Sequence, residues 1–372
     1  MMIVDDQISQ CREELKRCPP GDPGRGTALF NLAVSLKDRF LKTNNIQDIE
    51  EAIGHHRTAL ALRPEGHPNR DWSLFGLAWC LHEQYRKQGT LPDLEEAITL
   101  GRAALDLRPE GHPDRPYSLH SLAACFSDRY NKQDSVADLE EAITLGRAAL
   151  ELCPPGHSNH AWNINNLGYY LWRRFMKLGA TADLDGAFSL HQSALDLRPE
   201  GHPNRSDSLH YLATCFSSRY DKQDLVADLE EAITLGRATL KLCPPGHSHR
   251  PLALNGLGTY LRSRFQRLGA TADLDEAFSL HQSALDLLPE GHPERSGLLH
   301  HLATCFSSRY DKQASIADLE EAITLGRAAL KLHSPCHGST GSPSALSEED
   351  SKGGVTVLEG SKVLARGTRS CT

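Results

Sequence analysis

The chain has 372 residues, of which 39% are hydrophobic and 24% are charged, a balance typical of folded soluble proteins rather than of disordered chains. Its formal net charge of −8 argues against a general binder of nucleic-acid backbones, because such proteins need a basic face. We find no run of about 18 apolar residues that would span a membrane, and no secretory signal at the N-terminus. The ten Cys are too sparse for a disulfide scaffold, so we expect a cytoplasmic protein.

A Gly-His dipeptide recurs every 45 residues, from Gly66–His67 through Gly111–His112 to Gly291–His292. A fixed period of this length is typical of repeat proteins. We predict an N-terminal half repeat with a single helix at 1–20 and a disordered tail, rich in Ser, Gly and charge, at 336–372. Between them we predict seven repeats, at 21–65, 66–110, 111–155, 156–200, 201–245, 246–290 and 291–335.

Each repeat predicts two helices. In 111–155, four apolar residues from Leu119 to Phe126 follow the i, i+3, i+4, i+7 spacing of a helix stripe. The second helix opens with Ser135-x-x-Asp138, a capping pattern, and Pro154-Pro155-Gly156 ends it. A lone helix pair cannot bury its stripe, so neighbouring pairs must stack. The predicted fold class is all-α: a right-handed α-solenoid of seven 45-residue helix-turn-helix repeats with one concave face.

These residues resemble the tetratricopeptide repeat (TPR). In repeat 111–155 the signature of that family falls on Leu119, Leu122, Ala123, Phe126, Ala142, Ala149 and Pro154. The usual repeat has 34 residues, whereas this one carries eleven more between the helices and in the Gly-His turn. Armadillo and HEAT repeats share the 45-residue length, but the Ala–Ala–Pro spacing favours the TPR type. The resemblance implies that the first helices line the concave face.

The segment DLEEAITLGRAAL is similar to arrays in large fungal proteins, in which such repeats precede a caspase-like peptidase domain of the CHAT type. Only the tail follows the repeats in this sequence, so we expect a truncated or stand-alone member without that domain.

The sequence offers little that is typical of catalysis. Cys336-His337 lies where the next Gly-His turn is due and is read as a turn remnant. One His per stacked turn cannot supply the four converging ligands that zinc needs. The acidic starts of the second helices, such as Asp183 and Asp185, fit helix capping and a solvated face. We therefore predict no enzyme activity, no metal and no cofactor.

We expect a partner to bind the concave face. The resemblance to the TPR implies that five positions of each first helix point into this face. All four Trp of the chain fall on such positions. Exposed aromatic residues on a concave surface are typical ligand anchors, although the rings could instead cover neighbouring helices. The predicted protein-binding residues are Trp72, Phe75, Trp79, His82, Tyr117, His120, Trp162, Asn165, Tyr169 and Trp172.

Differences between repeats favour the same face. Comparing 156–200 with 246–290, the second helix is nearly constant, while on the first helix Trp162 becomes Leu252 and Trp172 becomes Arg262. A helix wedged between neighbours tolerates little change of volume, whereas a free face can diversify.

Two functions remain open at this stage. The first is a non-enzymatic scaffold that binds a peptide or protein segment in the groove, without nucleic acid or membrane, and with possible self-association through uncapped repeat ends. The alternative is the regulatory or sensor region of a CHAT-type caspase-like peptidase whose catalytic domain is missing.

Overall fold

The computed structural model describes residues 2–157, 159–290, 292 and 294–333; the predicted tail and Cys336 lie outside them. The described residues form helices, turns and bends with no strand, so the predicted all-α solenoid of helix-turn-helix repeats is confirmed. The helices are α1 Met2–Arg17, α2 Arg25–Thr43, α3 Ile46–Ala61, α4 Arg70–Gln88, α5 Leu91–Asp106, α6 Arg115–Gln133, α7 Val136–Glu151, α8 His160–Leu178, α9 Thr181–Asp196, α10 Arg205–Gln223, α11 Val226–Leu242, α12 Arg250–Leu268, α13 Thr271–Asp286, α14 Arg295–Gln313 and α15 Ile316–His333.

From α2 onward, the even-numbered helices are the first helices of pairs and the odd-numbered helices are the second. The chain divides into two compact units, one up to Cys215 and one from Phe216 onward. In the first unit, small residues on the second helices are fully buried, for example Ala142 and Ala149 on α7. Small side chains let neighbouring helices approach closely, so a continuous core forms along the stack. Cys80 and Cys125 belong to this core and act there as small apolar residues.

The Gly-His turn is held by a hydrogen bond within the turn. Gly156 has φ +94°, a left-handed conformation that suits glycine. The imidazole that follows accepts a hydrogen bond at Nδ1 from the backbone N–H two residues on, at 3.1–3.2 Å in six turns. These His therefore have a structural role in the turn.

The capping pattern at the second helices has a different role from the predicted one. Ser135 makes no side-chain cap hydrogen bond. Instead, Arg129 on α6 donates to both oxygens of Asp138, at 2.9 and 2.6 Å, and also to Glu95 on α5 at 2.8 Å. Asp183 is likewise buried and bound by Arg174, so its predicted solvated position is wrong, whereas Asp185 is exposed. The same Arg–Asp pair recurs nine residues apart in Arg39–Asp48, Arg129–Asp138, Arg174–Asp183, Arg219–Asp228, Arg264–Asp273 and Arg309–Asp318.

None of the helices in the described ranges is long and apolar enough to cross a lipid bilayer.

Candidate interaction surface

Side chains join the first helices of the first unit to one another. His82 on α4 contacts Asp128 on α6, with 2.7 Å between Nε2 and Oδ2. The next helices are joined by His120 and Trp162, whose ring centroids are 3.5 Å apart. Helices α2, α4 and α6 also approach one another through their backbones. The first helices therefore form a row of their own beside the row of second helices.

This row curves inward. Packed helices lie about 8–10 Å apart, so α4 and α10 would be roughly 25–30 Å apart in a straight row of four first helices. Arg86 on α4 and Tyr211 on α10 nevertheless act on each other. Partial shielding from water by the surrounding protein lowers the pKa of Arg86, but Glu83, Asp128 and Tyr211 together raise it above its ordinary value. Such coupling fades beyond about 10 Å. The two side chains consequently face a common space.

Aromatic rings line that space. Tyr169 on α8 lies 6.0 Å from Trp172 and 5.6 Å from Tyr211, measured between ring centroids. These three rings are half-buried, and Tyr169 and Trp172 pack against the core with one side. Trp79 on α4 is also half-buried, and the Lys37 ammonium lies 5.4 Å from its ring centroid. We call the set Trp79, Arg86, Tyr169, Trp172 and Tyr211 the inner face.

An ion pair stabilises the boundary of the inner face. His82 is buried, which lowers its pKa, but the neighbouring Cys125 sulfur and the hydrogen-bonded Asp128 carboxylate raise that pKa to about 10. His82 is therefore a cation at neutral pH and holds Asp128 on the neighbouring helix. A buried, paired imidazolium of this kind positions helices rather than binding a ligand.

A second aromatic cluster lies near the start of α4. The guanidinium of Arg108 is fully buried and sits 4.7 Å from the ring centroid of Trp72 and 4.9 Å from that of Phe75. Its Nε donates to Asp71 at 2.8 Å. Trp72 and Phe75 thus cover a buried charge with one side, and Trp72 keeps 39% of its surface exposed.

The ten predicted binding residues fall into three groups. Trp72, Tyr117 and Trp162 are exposed; Phe75, Trp79, His120, Tyr169 and Trp172 are half-buried; His82 and Asn165 are buried. All four indoles keep contact with solvent. The side-chain oxygen Oδ1 of Asn165 accepts a 3.0 Å hydrogen bond from Nδ1 of His191, so the buried Asn165 is not available to a partner, which corrects its assignment together with that of His82. For the other eight, binding stays a prediction.

Two residues of the inner face were missed by the sequence reasoning. Arg86 follows Glu83 by three positions, so the two share a helix face, and that spacing could have indicated it. Tyr211 is one position beyond His210, the residue that the repeat pattern directs inward. Its place depends on the curvature of the row, which no short-range pattern encodes.

Fold and surface together define an α-solenoid of helix-turn-helix repeats, a class whose curved row of first helices offers an extended surface. The tetratricopeptide repeat family model matches residues 117–160 and 252–294, so the chain carries repeats of the tetratricopeptide type in these two stretches. No curated protein sequence matches the chain significantly. The similarity to arrays that precede CHAT-type domains stays a prediction.

Solved structures share the fold at low sequence identity. The apo form of the quorum sensor NprR from B. thuringiensis superposes with a TM-score of 0.58 at 15% identity, over 90% of this chain and 84% of that chain. A monomeric mutant of IFIT1 with Gppp-AAAA gives a TM-score of 0.54 at 16% identity, over 88% of this chain and 63% of that chain. At these identities the similarity establishes the fold alone.

Proposed function

We propose that this protein is a non-enzymatic interaction scaffold whose inner face binds a segment of a protein partner. The observation that carries the proposal is the convergence of Arg86, Tyr169, Trp172 and Tyr211 from three first helices onto one space. Trp79 lies two helical turns before Arg86 on the same side of α4. Repeat scaffolds of this fold commonly act without catalysis, and the concave side of a solenoid is the surface that they use.

The rings are suited to act as anchors. Their half-buried position holds them in place, so little side-chain entropy is lost when a partner binds. Each ring still offers apolar surface, worth about 25 cal/mol per Å² when covered. Arg86 lies among them, bound to Glu83 through Nη1 at 3.1 Å and with more than half of its side chain exposed, so other guanidinium donors can reach a partner. This combination favours a segment with apolar side chains and a carboxylate or backbone carbonyl that can meet Arg86.

The buried thiols of Cys80 and Cys305 are unsuited to nucleophilic catalysis. Burial raises the pKa of Cys80 to about 12 and that of Cys305 to about 11. A thiol nucleophile needs the opposite shift and access to solvent.

The test is a triple variant that borrows residues from other repeats and therefore preserves the fold. Trp79→Ala copies Ala124, Tyr169→Thr copies Thr259 and Trp172→Arg copies Arg262, each at the matching repeat position. We expect the triple variant to recover partners from cell extract at least tenfold less well than the wild type, measured by affinity purification with quantitative mass spectrometry.

The matched control is Leu152→Ala with Leu197→Ala, which removes two exposed apolar side chains that follow second helices of the same unit. We expect it to recover the same partners as the wild type. Circular dichroism verifies that both variants keep their helices. Equal recovery by the triple variant and the wild type would refute the assignment of the inner face.

A further inference from the structure

A buried arginine recurs at the end of three second helices. Arg63, Arg108 and Arg198 are at most 3% exposed. Each guanidinium donates two hydrogen bonds from Nη1 in the same way, one to the backbone carbonyl six residues later and one to the Ser hydroxyl ten residues later. The distances are 3.1 and 2.9 Å for Arg63, 3.3 and 3.0 Å for Arg108, and 2.9 and 2.9 Å for Arg198.

The rest of the guanidinium faces a carboxylate in one copy and a backbone carbonyl in the other two. For Arg108 this group is Asp71, 37 residues earlier, whose carboxylate accepts from Nε at 2.8 Å. The matching residue is Gly26 for Arg63 and Ala161 for Arg198. At Gly26 the backbone fills part of the space, since its carbonyl accepts from Arg63 at 3.3 Å and a Cβ there would lie 3.7 Å from Nε.

Arg198 has no carboxylate partner: its Nη2 donates to the carbonyl of Ala161 at 3.5 Å, as Arg63 donates to that of Gly26. Its side chain is 1% exposed, and its Nε has no hydrogen-bond partner within the described residues. Burial lowers the pKa of Arg198, while Asp207 and Tyr211 partly restore it. A guanidinium stays charged in a protein, and a buried charged donor without an acceptor is costly. An anionic acceptor at the Nε of Arg198 would therefore be stabilising.

A cavity lies where that acceptor belongs. It has a volume of about 270 Å³ and is lined by Asn159, Ala161, Trp162, Arg198, His202 and Asn204. Ala161 is the second residue of α8, just as Asp71 is the second residue of α4. The cavity therefore occupies the space into which a longer, Asp71-like side chain would reach. Its wall at the start of α8 also carries the positive end of the helix dipole.

We propose that this cavity binds the carboxylate group of a ligand, which takes the position that Asp71 holds in the matching repeat. The chemical class is a carboxylate because the chain itself places a carboxylate on the same guanidinium 90 residues earlier. The volume accommodates an acidic side chain and falls below the 300–1,000 Å³ of drug-sized sites. An acidic side chain of a peptide and a free carboxylic acid share this chemistry.

The test follows the indole N–H signal of Trp162, one of four Trp in the chain, by NMR at constant ionic strength. The probes are N-acetyl-glutamate amide, its neutral analogue N-acetyl-glutamine amide, acetate and inorganic phosphate. We expect the glutamate probe to shift the Trp162 signal saturably and the glutamine probe to leave it in place. A comparable shift with acetate identifies a free acid as a sufficient ligand, whereas a shift with the glutamate probe alone identifies an acidic side chain.

Two substitutions test the geometry without touching the inner face. Ala161→Asp supplies the missing carboxylate from within, so it should weaken binding of the glutamate probe at least tenfold and raise Tm. Ala161→Asn fills the same space without a charge and should not raise Tm. The proposal is overturned by equal shifts with both amide probes, by a shift with phosphate alone, by unchanged binding in Ala161→Asp, or by equal Tm in the two variants.

These outcomes are independent of the scaffold proposal, since Ala161 lies outside the inner face. Loss of carboxylate binding with unchanged partner recovery would separate the two sites.

Discussion

The imidazole of His191 fills the space that a side chain on Gly168 would need. A Cβ built on Gly168 would lie 2.8 Å from both Cε1 and Nε2 of that ring, and the ring stacks on Tyr211 on its other side, 5.2 Å between centroids. The glycine and the imidazole ring therefore fit together where α8 packs against α9. The pair Gly258–His281 repeats the arrangement, with the same 2.8 Å from the built Cβ to the ring atoms.

Gly168→Ala should lower the free energy of unfolding by about 1–3 kcal/mol, because the ring is enclosed and cannot move aside. The control is Gly54→Ala on α3, where a Cβ would meet nothing within 4 Å. That change should raise stability by about 0.5–1 kcal/mol through helix propensity. Urea denaturation of both variants gives the comparison, and a stabilised Gly168→Ala would contradict the packing described.

The Arg–Asp pairs predict opposite effects at matching positions. Gln84 occupies the place of the arginine in one repeat and contacts Asp93 at 3.2 Å. Gln84→Arg should raise stability by about 0.5–2 kcal/mol, since it adds a charge-assisted pair. Arg174→Gln should lower it by a similar or larger amount, because Asp183 is buried and loses its partner. Thermal unfolding monitored by circular dichroism measures both changes, and equal signs would contradict the role of the pair.

Buried histidines make stability depend on pH. Burial, with smaller effects of neighbouring positive charges, lowers the pKa of His56, His191 and His281 to about 3. Between pH 6.5 and 3 the unfolded chain binds protons at these rings and the folded chain does not. The free energy of unfolding should therefore decrease as the pH falls below about 6.5, by up to about 1.4 kcal/mol per pH unit for each ring.

Urea unfolding at pH 7, 6 and 5 measures this slope. His191→Gln removes one of these rings, so it should reduce the dependence of the unfolding free energy on pH by up to about 1.4 kcal/mol per pH unit, which corresponds to one proton. An unchanged slope would show that the ring is protonated in the folded state. His82 acts in the other direction: its raised pKa stabilises the fold at neutral pH, and that contribution is lost as the pH rises through about 10.

Thiol labelling tests the burial of the cysteines. In a background that lacks Cys336 and Cys371, Cys18 is the one remaining described thiol that is partly exposed, and the other seven are buried. A disulfide reagent at pH 8 should modify one thiol rapidly and the rest only after denaturation. Rapid labelling of Cys80 or Cys125 in the folded protein would contradict the core described.

Local sequence patterns were enough to predict the helices and their order. The spacing of apolar residues and the effects of Pro and Gly on the backbone depend only on residues that are close in the sequence. They were misleading at Asp138, where the Ser-x-x-Asp pattern is genuine but Arg129, nine residues earlier, outcompetes the backbone N–H groups for the carboxylate. They were insufficient at Asn165 and His82, whose burial depends on partners 26 and 46 residues away. Polar side chains directed inward by a repeat pattern can be structural bridges between helices as readily as ligand contacts.

The Gly-His turn has a consequence for how such a chain changes its length. Because the imidazole of each turn accepts the N–H only two residues later, that amide keeps its acceptor when the turn is moved as a unit. At three boundaries a buried Arg before the turn also donates to a carbonyl after it. Recombination at two such boundaries can insert or delete whole repeats without leaving an orphaned amide at the junction. A library of shorter and longer versions, joined at Gly-His, is therefore a practical route to new receptors built on this frame.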